Sequence, residues 1–193
     1  MSAALLFVLE PMVGKLVLPV LGSTPEVWTT TVLFFQAALL AGYAYSHASS
    51  RRLSPRVQAG MQLALLALAA LALPIALPHG SGPPTAGDPV LWLLGLLSVT
   101  AGLPFVVLAA NGPMLQRWLS RTPHPAARDP YFLFAASNGG SLIGLLAYPL
   151  VVEPALTLGA QGRVWAIGYV VAAALVAASA LALWLRGPQR SPT

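Results

Sequence analysis

The chain has 193 residues, of which 57% are hydrophobic and only 8% charged, and its mean hydropathy is +0.76. A soluble domain carries about 25% charged residues, so this sequence is too apolar to cover its own surface in water and reads as an integral membrane protein. The absence of cysteine excludes disulfides, thiolate catalysis and thiolate metal sites, and the formal charge of +5 has to be located along the chain before it says anything about partners.

Six apolar spans follow one another, at 3–21, 28–45, 60–77, 89–110, 130–152 and 164–185. Each lies near the roughly 20 residues a helix needs to cross a hydrocarbon core. The expected fold is therefore an all-α, polytopic six-helix bundle forming a single transmembrane domain over 1–193. The first span is expected to remain in place and not to be cleaved as a signal peptide, because it lacks a basic leading segment and contains Glu10 and Lys15.

Those two residues are the first candidates for chemistry. A lone lysine at mid-bilayer costs about 2.5–3.5 kcal/mol on insertion scales, so Lys15 should face protein or water, and Glu10 has the same difficulty. Five residues turn an ideal helix by about 140°, which separates the two side chains unless Pro11 bends the axis. Two readings stay open: the charges neutralise each other or other helices as structural glue, or they line a binding or translocation cavity.

In the second span Gln36, Tyr43 and His47 fall nearly on one helical face, with Gln36 deep and the other two toward the cytoplasmic side. They read either as an interhelical hydrogen bonder with ordinary interfacial residues or as part of the same polar cluster. Gly102 and Pro104 mark a mid-depth kink in span four. Asn111-Gly112-Pro113 is expected to end that span and to be followed by a short amphipathic helix at 113–120 lying in the interface. The loop Gly80–Asp88 reads as a flexible external turn. Asp129-Pro130 reads as an N-cap with proline at the first helical position of span five. Within that span Ala136, Gly140 and Gly144 recur every four residues, a small-residue stripe that admits a closely packed helix, and Asn138 can hydrogen-bond across the contact. The candidate intramembrane cluster is thus Glu10, Lys15, Gln36 and Asn138. Three histidines scattered along the chain do not compose a haem or metal site, and no metal or cofactor is expected.

The arginines give the topology. Arg51, Arg52 and Arg56 lie between spans two and three, Arg117, Arg121 and Arg128 between four and five, and Arg186 and Arg190 after six, whereas the alternate loops hold Glu26, His79, Asp88, Glu153 and Arg163. By the positive-inside rule both termini are cytoplasmic, in a multi-pass protein of a bacterial inner membrane. The net charge is accordingly an orientation signal, and no nucleic-acid partner is expected.

The stretches "EPMVGKLVLPVLGSTPEVWTTTVLFFQAALLAGYAYSH", "LPFVVLAANGPMLQRW" and "DPYFLFAASNGGSLIGLLAYPLVVEP" resemble the membrane half of the spermidine synthase-like membrane proteins, the fused major facilitator/spermidine synthase family. Pro11, Met12, Lys15, Pro19, Trp28, Gln36, Gly42, Tyr43, His47, Tyr131, Asn138, Pro149 and Glu153 stand in that family's order. In the family these helices precede further helices and a soluble domain with a methyltransferase-like nucleotide pocket, neither of which this sequence contains. "GYAYSHASSRRLSPR" in addition resembles the glycine-then-arginine loop between the second and third helices of major facilitator transporters, which implies that the six helices equal half of such a fold. The resemblance implies a non-enzymatic, transporter-like half bundle that acts with another copy or another membrane chain. The alternatives are an accessory subunit of a larger membrane complex, or the membrane part of a split aminopropyltransferase-type enzyme with a separate soluble domain.

Overall fold

A computed structural model describes residues 1–78, 82, 88–121 and 131–185. The Asp129-Pro130 cap, His79, most of the Gly80–Asp88 turn, Arg128, Arg186 and Arg190 lie outside the described residues. Within them the protein is all-helical, with no strand and six helices. These are α1 (Ser2–Leu21), α2 (Pro25–Arg52), α3 (Pro55–Ala70), α4 (Pro89–Ser120), α5 (Tyr131–Ala155) and α6 (Leu158–Leu185).

Short polar–proline pairs start three of them. Thr24, Ser54 and Asp88 cap α2, α3 and α4, each accepting a hydrogen bond from a first-turn amide (Val27, Val57 and Val90) and each followed by proline at the first helical position. Proline there forfeits an amide that would be unpaired in any case, so the start is fixed at little cost. Gly22 ends α1 with φ of 77°, a backbone state that other residues adopt only with strain.

Five helices, all but α3, are long and apolar enough to cross a membrane. The third span differs from expectation. α3 begins at Pro55, five residues early, and ends at Ala70; residues 71–73 close in tight i→i+3 turns, and Pro74, which has no amide to donate, sits in a non-helical stretch that runs to Pro78. Non-helical backbone at membrane depth persists where it packs on protein. Ile75 is buried, and its carbonyl lies so close to Gly162 of α6 that a Cβ there would come within 2.6 Å.

Two further expectations are corrected. Asn111-Gly112-Pro113 does not end span four, and 113–120 is not a separate interfacial helix: α4 continues to Ser120 because Asn111, Met114 and Trp118 are buried against the bundle. Likewise span two does not end at Tyr45, and Gly42 lies well inside it. It sits mid-α2, where a Cβ would meet the Val106 carbonyl at 2.6 Å and the Ala109 Cβ at 2.7 Å, so α2 and α4 cross at backbone contact and α2 runs on to Arg52. The expected kink around Gly102 and Pro104 takes the form of a π-helical turn, Ser98–Gly102, and a second, Tyr148–Val152, contains Pro149. Proline breaks the i→i+4 ladder, and the wider turn takes up the slack.

α1 and α4 form the middle of the bundle. α1 packs on α5, α4 and α6, while α4 packs on α2, α1 and α3, with α3 and α6 against each other on one flank. Aromatic donors tie the flank together: Tyr169 Oη donates to the Leu66 carbonyl at 2.9 Å, and Trp165 Nε1 donates to the Leu5 carbonyl at 2.9 Å. Arg51, Arg52, Arg56, Arg117 and Arg121 all fall at one end of the bundle, where Arg56 and Trp184 exchange side-chain-to-backbone hydrogen bonds.

Candidate functional site

The helix stripe that the glycines make determines where the site can be. Gly140 and Gly144 face Ala3 and Ala4 of α1, and a Cβ on Gly144 would come within 2.6 Å of the Ala4 carbonyl. The stripe is thus spent on an intramolecular contact, leaving Ala136, one turn toward the arginine-bearing end, to line open space. That space is a cleft of about 760 Å³ between α1, α2, α4, α5 and α6, running from Met1, Pro113 and Gln116 at the arginine end to Glu10 and Gln36 at mid-bundle.

Three of the four expected cluster residues line this cleft, Glu10 and Gln36 at mid-bundle and Asn138 at the mouth, just before Gly140, which packs on Met1, Ala3 and Ala4. Glu10, Gln36 and Asn138 line the cleft together with Tyr43 and Ser137. The walls between these polar groups are apolar and aromatic, with Phe7, Phe35, Phe105 and Phe134 prominent. Phe35 and Phe105 stack with centroids 4.8 Å apart, which fixes the inner wall. Glu10 sits eight residues into α1, about 12 Å along its axis, and is only partly buried. Among the described residues its carboxylate, the Gln36 and Asn138 amides and the Tyr43 hydroxyl have no hydrogen-bond partner. Gln36, Tyr43 and Asn138 are exposed in the isolated chain, so the site is a cleft with one open side.

Lys15 is elsewhere. Its ammonium pairs with the Glu153 carboxylate of α5, directly after the second π turn and at the end remote from the arginines. Of the two readings of Glu10 and Lys15, each applies to one residue: Lys15 joins two helices, and Glu10 faces the cleft. Beside the pair, Tyr148 donates to Gln161 Oε1 at 3.3 Å, tying α5 to α6. His47 is exposed one helical turn beyond Tyr43 and does not line the cleft. Among the described residues no group of three His, Cys, Asp or Glu side chains is placed to hold a metal ion.

The structure adds a polar network that the sequence reading missed. Gln58 and Gln62, on successive turns of α3, are fully buried. Gln58 Nε2 donates to Ser49 Oγ (2.9 Å) and Ser50 Oγ (3.0 Å), while Gln58 Oε1 accepts from Trp118 Nε1 (3.0 Å). Gln62 Nε2 donates to Asn111 Oδ1 (2.7 Å) and the Val107 carbonyl (3.0 Å), and Asn111 Nδ2 donates to Ser2 Oγ (3.2 Å). The signal available was the i, i+4 glutamine pair ahead of an apolar run, a spacing that places both on one helix face. This network locks α2, α3 and α4 at the arginine end, and through Ser2 it holds the first turn of α1 at the cleft mouth.

No family model, curated protein or solved structure matches this chain, so the site is read from its own geometry.

Proposed function

We propose that the chain is a non-enzymatic, transporter-like half bundle that admits a small solute to the Glu10 cleft and works with a second copy or another membrane chain. One observation carries the reading: Glu10 and Gln36 at mid-bundle and Asn138 at the mouth, all without partners among the described residues, line one open cleft. Polar groups in that position are costly against lipid, and they persist where water, solute or a neighbouring chain faces them. The gathering of five of the six described arginines at one end, with Arg163 at the other, supports an orientation with the first end, and hence the cleft mouth, in the cytoplasm of a bacterial inner membrane. The resemblance to the spermidine synthase-like membrane proteins and to half of a major facilitator fold favours the same reading, since parallel six-helix halves enclose a pathway only in pairs.

Because the chain has no cysteine, single introduced cysteines test the reading without background. Gln36→Cys and Asn138→Cys are expected to react with a hydrophilic maleimide in intact membranes, whereas Leu146→Cys, exposed on the outer face of α5, is expected to stay unreactive. Equal lack of reaction at all three positions would remove the water-filled cleft, and with it the solute reading. A reading as an accessory subunit would then take its place.

A further inference from the structure

We infer that the Glu10 cleft selects a small organic cation, an ammonium group bearing apolar substituents, with the Glu10 carboxylate as its counter-ion. The inference rests on the solute-binding reading above and adds the charge and shape of the solute.

Three observations point the same way. Glu10 is the only side chain with a formal charge among the described residues lining the cleft. The nearest basic candidate in the sequence, Lys15, is engaged by Glu153 and does not reach it. An ionised carboxylate in such surroundings needs a cation or a proton; among the described residues no basic side chain lines the cleft, and the Met1 amino group sits at its mouth beside Gly140. The remaining wall is suited to a cation that carries hydrocarbon. Phe7, Phe35 and Phe105 present aromatic surface in the inner part of the cleft that holds the carboxylate, and aromatic faces attract quaternary and alkylated ammonium ions that have shed their water. Gln36 offers a carbonyl oxygen to any N–H the cation keeps. An inorganic cation fits poorly, because it demands several oxygen ligands close together, whereas the lining is largely apolar. A volume of about 760 Å³ accommodates a solute of modest size with some water.

The test is equilibrium binding to the purified full chain in lipid nanodiscs, using radiolabelled choline and n-butylammonium as cations. The competitors are 3,3-dimethylbutan-1-ol, the neutral isostere of choline, and 3,3-dimethylbutanoate, its anionic counterpart. Saturable binding of at least one cation is expected, with competition by neither the alcohol nor the acid. Glu10→Gln, which keeps the shape of the side chain, is expected to weaken binding by about tenfold or more, as loss of a charge-assisted contact does, while Glu10→Asp stays closer to the parent. Binding of neither cation, equal affinity for the neutral isostere, or undiminished cation binding by Glu10→Gln would each overturn the inference. Should Glu10→Gln fail to fold, the comparison of cation with isostere in the unmodified chain decides alone. If the alcohol or the acid binds instead, the cleft remains a solute site of another class; cysteines at Gln36 and Asn138 that resist labelling would defeat the solute reading itself.

Discussion

Replacing Lys15 and Glu153 singly and together measures whether the lysine of α1 is bound to α5 or belongs to the cleft. The two side chains are 35% and 39% exposed, so each is partly withdrawn from its surroundings and partly free to reach toward the membrane surface. A charge stranded at bilayer depth costs about 2.5–3.5 kcal/mol on insertion scales, and partial exposure lowers that figure, so Lys15→Met or Glu153→Gln alone should destabilise by about 1–3 kcal/mol. The double replacement strands no charge. Its loss should fall short of the sum of the single losses by about 1–2 kcal/mol, a coupling expected of groups in direct contact. The same cycle run on Lys15 and Glu10 should close to within about 0.5 kcal/mol, the behaviour of independent sites. Unfolding of the purified protein in mixed micelles, titrated with SDS and followed by circular dichroism, reads all the values on one scale. A cycle that closes for Glu153 and fails to close for Glu10 would refute the assignment and return the two charges of α1 to each other.

Two further outcomes test the packing. Gly42→Ala should destabilise relative to Gly95→Ala by about 1–3 kcal/mol in the same assay, because both gain helix propensity but only the former drives a methyl group into the Val106 carbonyl and Ala109; Gly95 has nothing within 4 Å of its Cβ position. Equal stability of the two variants would show that α2 and α4 do not cross at backbone contact. Tyr169→Phe should cost about 0.5–1.5 kcal/mol by deleting the hydrogen bond to the Leu66 carbonyl while keeping the ring in its buried site, and a loss far outside that range by micellar unfolding would contradict the assigned bond.

Much of the bundle could be read from the sequence because helix starts and apolar lengths are local properties. The pair Asp88-Pro89 marks the start expected at 89, whereas the sequence reading missed the same signal at Ser54-Pro55 and set span three five residues late; the four-residue recurrence of Gly140 and Gly144 identified a contact face. Which helix lies on that face is not a local property. The lysine's partner illustrates the limit: Glu10 is near Lys15 along the chain, whereas Glu153 is 138 positions away and becomes a neighbour only once α5 lies on α1. The breaks were misjudged for a related reason. Asn111-Gly112-Pro113 looks like punctuation by the rules of soluble proteins, but in an apolar medium an unpaired backbone group is so unfavourable that a buried helix such as α4 continues through it. At Pro74 the helix does stop, and the non-helical backbone beyond it packs on protein, with Ile75 buried and its carbonyl against Gly162 of α6.

The short third helix has a consequence for the surrounding lipid. At about 1.5 Å per residue its 16 residues rise about 24 Å, less than a hydrocarbon thickness of about 30 Å, while its neighbour α6, with 28 residues, exceeds it. The remaining distance falls to the apolar, non-helical stretch 71–78, which packs on α6 through Ile75 and its carbonyl beside Gly162. Displacing that stretch from α6 would turn its unpaired backbone groups toward the acyl chains, so the α3 flank is where the bundle depends on a neighbouring helix to keep bare backbone out of lipid.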